Sequence, residues 1–158
     1  MSDCHSTSVA IQPVVIRERM PLLALAGQPN VGKSTVFNLL TGLNQHVGNW
    51  PGKTVERREG SFAIDGREFG VVDLPGTYSL TANSPEEVIA REFILREQPD
   101  LVIAIVNAAS LERSLYLVAE LITLSIPLAV IVNMMDVAEG EGIRIEPKVL
   151  EADRKSVV

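Results

Sequence analysis

Gly27, Gln28, Pro29, Asn30, Val31, Gly32, Lys33 and Ser34 fit the pattern G-x-x-x-x-G-K-[ST], a loop whose backbone N–H groups cradle phosphate. In such a loop Lys33 reaches the β- and γ-phosphates, and the Ser34 hydroxyl takes a Mg²⁺ ion. The flanks suit that chemistry. Leu22 to Ala26 reads as a buried strand and Thr35 to Leu40 as the first turns of a helix, so loop amides and the positive helix terminus converge on one anion. These flanks weigh against the plainer reading, a Gly-rich strand–helix turn.

Two further groups stand at the ends of apolar runs. Asp73, Leu74, Pro75 and Gly76 follow the strand-like Phe69 to Val72, where an Asp can hold a Mg²⁺ shell and the Gly76 N–H can meet a γ-phosphate. Alone, this would read equally well as an ordinary strand-ending turn. Asn133, Met134, Met135 and Asp136 close the apolar run Leu128 to Val132. The Asp136 carboxylate can accept from both the ring N–H and the exocyclic amine of guanine, a donor pair that adenine lacks at that edge. Asn and Asp are common after strands, so this box is weak alone and gains its force from order and spacing.

The motifs together resemble one family. The stretch Val47-Gly48-Asn49-Trp50-Pro51-Gly52-Lys53-Thr54-Val55-Glu56, then Asp73-Leu74-Pro75-Gly76-Thr77-Tyr78-Ser79-Leu80, then Asn133-Met134-Met135-Asp136 is similar to the N-terminal G domain of the bacterial ferrous-iron transport protein B. The resemblance runs from about Leu22 to Ile145 and implies a Ras-like P-loop GTPase domain that binds GTP or GDP with Mg²⁺. It implies that Thr54 is the switch I threonine, binding Mg²⁺ and the γ-phosphate, and that Asn30 coordinates K⁺. It also implies a cytoplasmic location, at the inner face of the membrane, with a membrane transport domain as partner. Two residues depart from the wider GTPase pattern. Thr77 stands where many GTPases place a water-orienting Gln, and Met134 where many have a Lys over the base, so hydrolysis is expected to be slow and affinity reduced. Other readings are a nucleotide switch with negligible turnover, or an assembly or tRNA-modification GTPase sharing the Asn30 loop.

Composition narrows the classes. The chain has 158 residues, enough for one domain with a sizeable core. A net charge of −6 argues against nucleic acid as main partner, since no basic stripe is available to neutralise phosphates. The single cysteine, Cys4, cannot form an internal disulfide, and Cys4-His5 reads as part of a terminus more readily than as a metal pair. Residues 1–20 read as a poorly ordered tail without a signal-peptide core, and 21–158 as the G domain. Leu115 to Val132 approaches a membrane-spanning length, but Glu120 and Pro127 divide it into an amphipathic helix, Leu111 to Leu124, and a strand expected to be buried on both faces.

The elements that must position these groups alternate as strand and helix, with one hairpin. Val55 to Ile64 and Arg67 to Val72 flank the turn Asp65-Gly66, and Ser84 caps a helix from Glu86 to Arg96 opened by Pro85. Leu101 to Val106 is the next strand. The pattern predicts a mostly parallel sheet covered by helices on both faces, with the ligand at the carboxyl ends of the strands. His46 is expected to be a solvated loop residue and Trp50, in a Gly/Pro-rich loop, to be partly exposed; Arg57 and Arg58 could suggest an arginine finger, but on an alternating strand one of them is expected to face water. By the resemblance, the final strand is incomplete at Ser156 to Val158 and the last base-binding loop is missing, so self-association through the exposed sheet edge is expected.

Overall fold

A computed structural model of the chain describes residues 19–146, 148 and 149. Cys4 and His5, and the incomplete final strand expected at Ser156 to Val158, lie outside them. The strands are β1 (Leu22–Gly27), β2 (Gln45–Asn49), β3 (Glu56–Ile64), β4 (Arg67–Asp73), β5 (Leu101–Asn107) and β6 (Leu128–Asn133). The helices are α1 (Lys33–Thr41), α2 (Pro85–Glu97), α3 (Leu111–Thr123) and the short α4 (Met135–Gly140). One six-stranded sheet has the order β2-β3-β4-β1-β5-β6. Pairs β1·β4, β1·β5 and β5·β6 are parallel, whereas β3 pairs antiparallel with β4 across the Asp65-Gly66 turn. This is the α/β P-loop architecture expected, with the strand ends of β1, β4 and β6 directed to one rim.

Alternation along β1 distributes the core. Leu23 and Leu25 face one side, where they pack with Phe37 of α1 and Val71 of β4. Ala24 and Ala26 face the other, leaving room for Ile89, Phe93 and Ile94 of α2 and Leu117, Val118 and Leu121 of α3. Small residues beneath the two longer helices let their large side chains approach the sheet closely. Ser84 caps α2, its hydroxyl accepting from the Glu87 N–H at 3.2 Å, with Pro85 in the first turn.

The structure departs from the expected exposure and layout in three places. Gln45–Asn49 is not loop but the strand β2, paired antiparallel with β3 from Gln45↔Gly60 to Asn49↔Glu56. It lies at a sheet edge and is mostly exposed, so its pairing is carried by backbone hydrogen bonds. Trp50 is not partly exposed but buried, at 7% exposure, and belongs to the core cluster of α2. The next turn closes tightly, with Trp50 N–H donating to the Val55 carbonyl and Lys53 N–H to that of Trp50, which drives the indole inward over Phe93. Third, β6 is not buried on both faces. Only Val130 is buried and Ile131 is 37% exposed, because among the described residues no strand pairs with the outer edge of β6. No helix among the described residues is long and apolar enough to cross a membrane; Leu115 to Val132 divides between α3 and β6, as the Glu120 and Pro127 interruptions require.

Candidate functional site at the strand ends

The loop between β1 and α1 carries Gln28 to Gly32, and two glycines let it meet its neighbours. Gly32 has φ of 91°, and a Cβ there would lie 2.3 Å from Asn133 Nδ2. Gly76 brings its backbone against Pro29, where an added Cβ would meet Pro29 Cα and N at 3.0 Å. The approach is set by backbone bonds that continue the β1·β4 ladder: Leu74 N–H donates to the Leu25 carbonyl and Thr77 N–H to that of Gly27, both at 3.0 Å. The phosphate loop and the Asp73–Gly76 segment are therefore registered by the sheet itself.

At the first turn of α1, Lys33 Nζ bonds Asp73 Oδ1 at 2.5 Å, and Ser34 Oγ donates to Asp73 Oδ2 at 3.3 Å. Both members of the ion pair are shielded, with side chains 11% and 6% exposed. These are the three groups expected to meet phosphate and Mg²⁺, and they stand together at a helix N-terminus where the dipole favours an anion. A cleft of about 800 Å³ runs over Lys33 and Ser34, bounded by Pro29, Asn30, Gly32, Thr35 and Gly76 and reaching Met134. A smaller pocket of about 260 Å³ opens beside it, where Lys33, Ser34, Asp73, Pro75 and Gly76 meet Glu56 and Arg58 of β3. Glu86, in the first turn of α2, lines both cavities.

Other expected residues have supporting places. Gln28 borders the cleft, but its side chain is buried and donates from Nε2 to the Arg113 carbonyl at 2.8 Å, tying the loop to α3. Val31 and Leu74 are core residues, and Gly27 ends β1. Asn133 donates from Nδ2 to the Val31 carbonyl at 2.8 Å, so the base-side box grips the phosphate loop. Met134 has φ of 60°, a turn that starts α4 and carries the exposed Asp136 beyond the cleft lining. Asn30, with φ of 63°, is exposed in the cleft. Thr54 is exposed near the tip of the turn between β2 and β3 and lines neither cavity.

Sequence reasoning missed Glu86, and it set Arg57 and Arg58 aside as an arginine-finger candidate in favour of one of them facing water. Glu86 and Arg58 come to the site only through long-range pairing: Arg58 stands directly across the ladder from Asp73, and α2 starts where its Ser84 cap sets it. The chain leading into α2 is ordered by Glu87, whose carboxylate accepts from Asn83 N–H at 2.9 Å and from Ser79 Oγ at 2.9 Å. The bond from the Asn83 backbone N–H, then that from the Ser79 hydroxyl, hold the Glu87 carboxyl below its ordinary range. The Leu80 N–H in the same segment donates to Glu120 Oε2 of α3 at 2.5 Å.

Known proteins are similar to this chain in sequence and fold. The sequence profile described as ferrous iron transport protein B matches residues 22–157. The Fe(2+) transporter FeoB of Methanocaldococcus jannaschii is 63% identical over 99 residues, which are 63% of this chain and 15% of that protein. The chain thus spans a small part of the length of that relative. The FeoB G domain from Methanococcus jannaschii superposes with a TM-score of 0.77 at 47% identity, covering 89% of this chain and 84% of that one. The cytosolic domain of the T. maritima FeoB iron transporter in its GMPPNP form gives a TM-score of 0.84 at 42% identity, covering 88% of this chain and 55% of that one. With a family profile spanning most of its length, this chain belongs to the ferrous iron transport protein B family and carries its P-loop GTPase G-domain fold.

Proposed function

We propose that this chain binds guanine nucleotide with Mg²⁺ and hydrolyses GTP slowly, as the cytoplasmic regulatory domain of a ferrous-iron transporter whose membrane domain is its partner. The convergence of Lys33, Ser34 and Asp73 at the start of α1, beside the Gly76 backbone, carries this reading. On binding, the loop amides and Lys33 hold the β- and γ-phosphates, and Ser34 and Asp73 supply oxygens to Mg²⁺ or its water shell. The Asp136 carboxylate selects guanine by accepting from the paired donors of the base, and Asn133 ties the start of this segment to the phosphate loop through the Val31 carbonyl. The GMPPNP form of the T. maritima relative supports the nucleotide class.

Slow turnover follows from the residue that comes after Gly76. Thr77 is buried, with its N–H committed to Gly27, and is too short to orient water as a Gln would. That observation also favours a second reading, a binding switch with negligible turnover. Titration with GTP, GDP and ATP, followed by single-turnover hydrolysis, tests both. Guanine preference with slow phosphate release supports the first reading; guanine binding with no release above the uncatalysed rate supports the second; equal affinity for ATP overturns the guanine assignment.

A further inference from the structure

Neighbouring arginines on β3 point to opposite faces of the sheet, as strand geometry requires. Arg57 lies over the Trp50 ring at 4.9 Å and pairs with Glu59 at 2.8 Å. Arg58 stands across the ladder from Asp73 and lines the pocket formed by Lys33, Ser34, Asp73 and Gly76. Residues directly opposite on an antiparallel pair put their side chains on one face, so Arg58 is brought to the Asp73 side by register alone. Its Nε bonds the Glu56 carboxylate, and Glu56 lines the same pocket.

Charge makes this placement consequential. Among the described residues, Lys33 and Arg58 are the only Lys or Arg side chains lining either cavity, against the carboxylates of Glu56, Asp73 and Glu86. Lys33 is the cation for the phosphate loop, and a triphosphate brings more negative charge than Lys33 can balance. The Arg58–Glu56 pair is partly open to water, its side chains 34% and 54% exposed, so it holds weakly. A guanidinium has five N–H donors in a fork that matches phosphate oxygens, which a single Glu56 contact leaves largely unspent.

Resting on the nucleotide reading above, we infer that Arg58 is a selectivity residue for the triphosphate: it exchanges Glu56 for γ-phosphoryl oxygens, and Glu56 acts as the built-in competitor. The exchange requires no covalent step, and it distinguishes GTP from GDP because only the third phosphoryl group extends into the pocket beside β3. The loop amides at the β-phosphate serve both nucleotides alike.

The test measures affinities of the chain and its variants for GDP and for a non-hydrolysable GTP analogue in Mg²⁺, with thermal melting as a folding control. Arg58→Met should weaken the analogue about tenfold, the worth of a charge-assisted hydrogen bond less the exposed pair it replaces, and leave GDP within about twofold. Arg58→Lys should recover part of the loss, and Glu56→Gln should strengthen the analogue several-fold without changing GDP. Equal losses for both nucleotides, or no loss in Arg58→Met, overturn the inference while leaving the functional reading intact. Failure of the unsubstituted chain to bind either guanine nucleotide overturns that reading, and this inference with it.

Discussion

Trp50 allows a sharp energetic test of how the switch I segment is held. Its ring sits in the α2 core with the Phe93 centroid 5.5 Å away in an edge-to-face pair, yet among the described side chains its Nε1 is the one buried polar atom without a partner. Replacing a buried Trp by Ala usually costs about 3–5 kcal/mol, and an orphaned buried donor returns about 1–3 kcal/mol when removed. Trp50→Ala should therefore destabilise by about 2 kcal/mol at the centre of these ranges. Trp50→Phe keeps the ring against Phe93, gives up about 1–2 kcal/mol of packing and sheds the unpaired donor, so it should fall within about 1 kcal/mol of the parent. Urea unfolding followed by far-ultraviolet circular dichroism measures both, since Trp50 is the only tryptophan and its loss removes the fluorescence probe. A Trp50→Phe variant as unstable as Trp50→Ala would refute the reasoning, because the indole N–H would then have to contribute to stability.

Asp136→Asn should reduce preference for GTP over ATP about 100-fold, as loss of paired hydrogen bonds does, read by competitive titration. If Asn30 holds a monovalent cation, hydrolysis runs faster in K⁺ than in Na⁺ at matched ionic strength and Asn30→Ala abolishes the difference; equal rates in the parent chain would refute the cation role. Glu87→Gln should lower the melting temperature at neutral pH and not at acid pH. The folded carboxyl titrates below its ordinary range, so its stabilising share is full above that range and is lost as pH falls through the folded value. The partly exposed edge at β6 should make the chain self-associate with rising concentration, seen by sedimentation, and Ile131→Lys should suppress it; a monomer at all concentrations would count against an open edge.

The elements that carry motifs were legible in the sequence because motif and periodicity pointed the same way. Leu22 to Gly27 is apolar throughout and ends in the phosphate loop, and Ser84-Pro85 announces the start of α2 with two independent signals. Gln45–Asn49 gave no such signal. It holds a Gly, lacks apolar alternation and owes its strand state to β3, a partner fixed only in three dimensions. Trp50 was misjudged for a related reason: Gly48, Pro51 and Gly52 surround it in sequence, while its burial comes from Phe93 and Ile89 on α2. The residues proposed to bind phosphate were legible by type and spacing. Arg58 was not, because its relation to Asp73 is a register across two strands, and a period-two pattern tells which neighbours oppose each other but not which of two faces holds the ligand.

The Lys33–Asp73 contact carries a consequence for how metal and nucleotide depend on each other. In the function proposed above each residue serves a different guest, one the phosphates and the other the Mg²⁺ shell, whereas in this structure each neutralises the other at 2.5 Å. A nucleotide that draws Lys33 away exposes a shielded carboxylate, and a metal that takes Asp73 strands a shielded ammonium, so either guest alone bears the cost of an unpaired charge. When both arrive, each compensates the charge the other releases. The pair thereby acts as a thermodynamic interlock: the affinity for nucleotide rises with Mg²⁺ by the same factor as the affinity for Mg²⁺ rises with nucleotide.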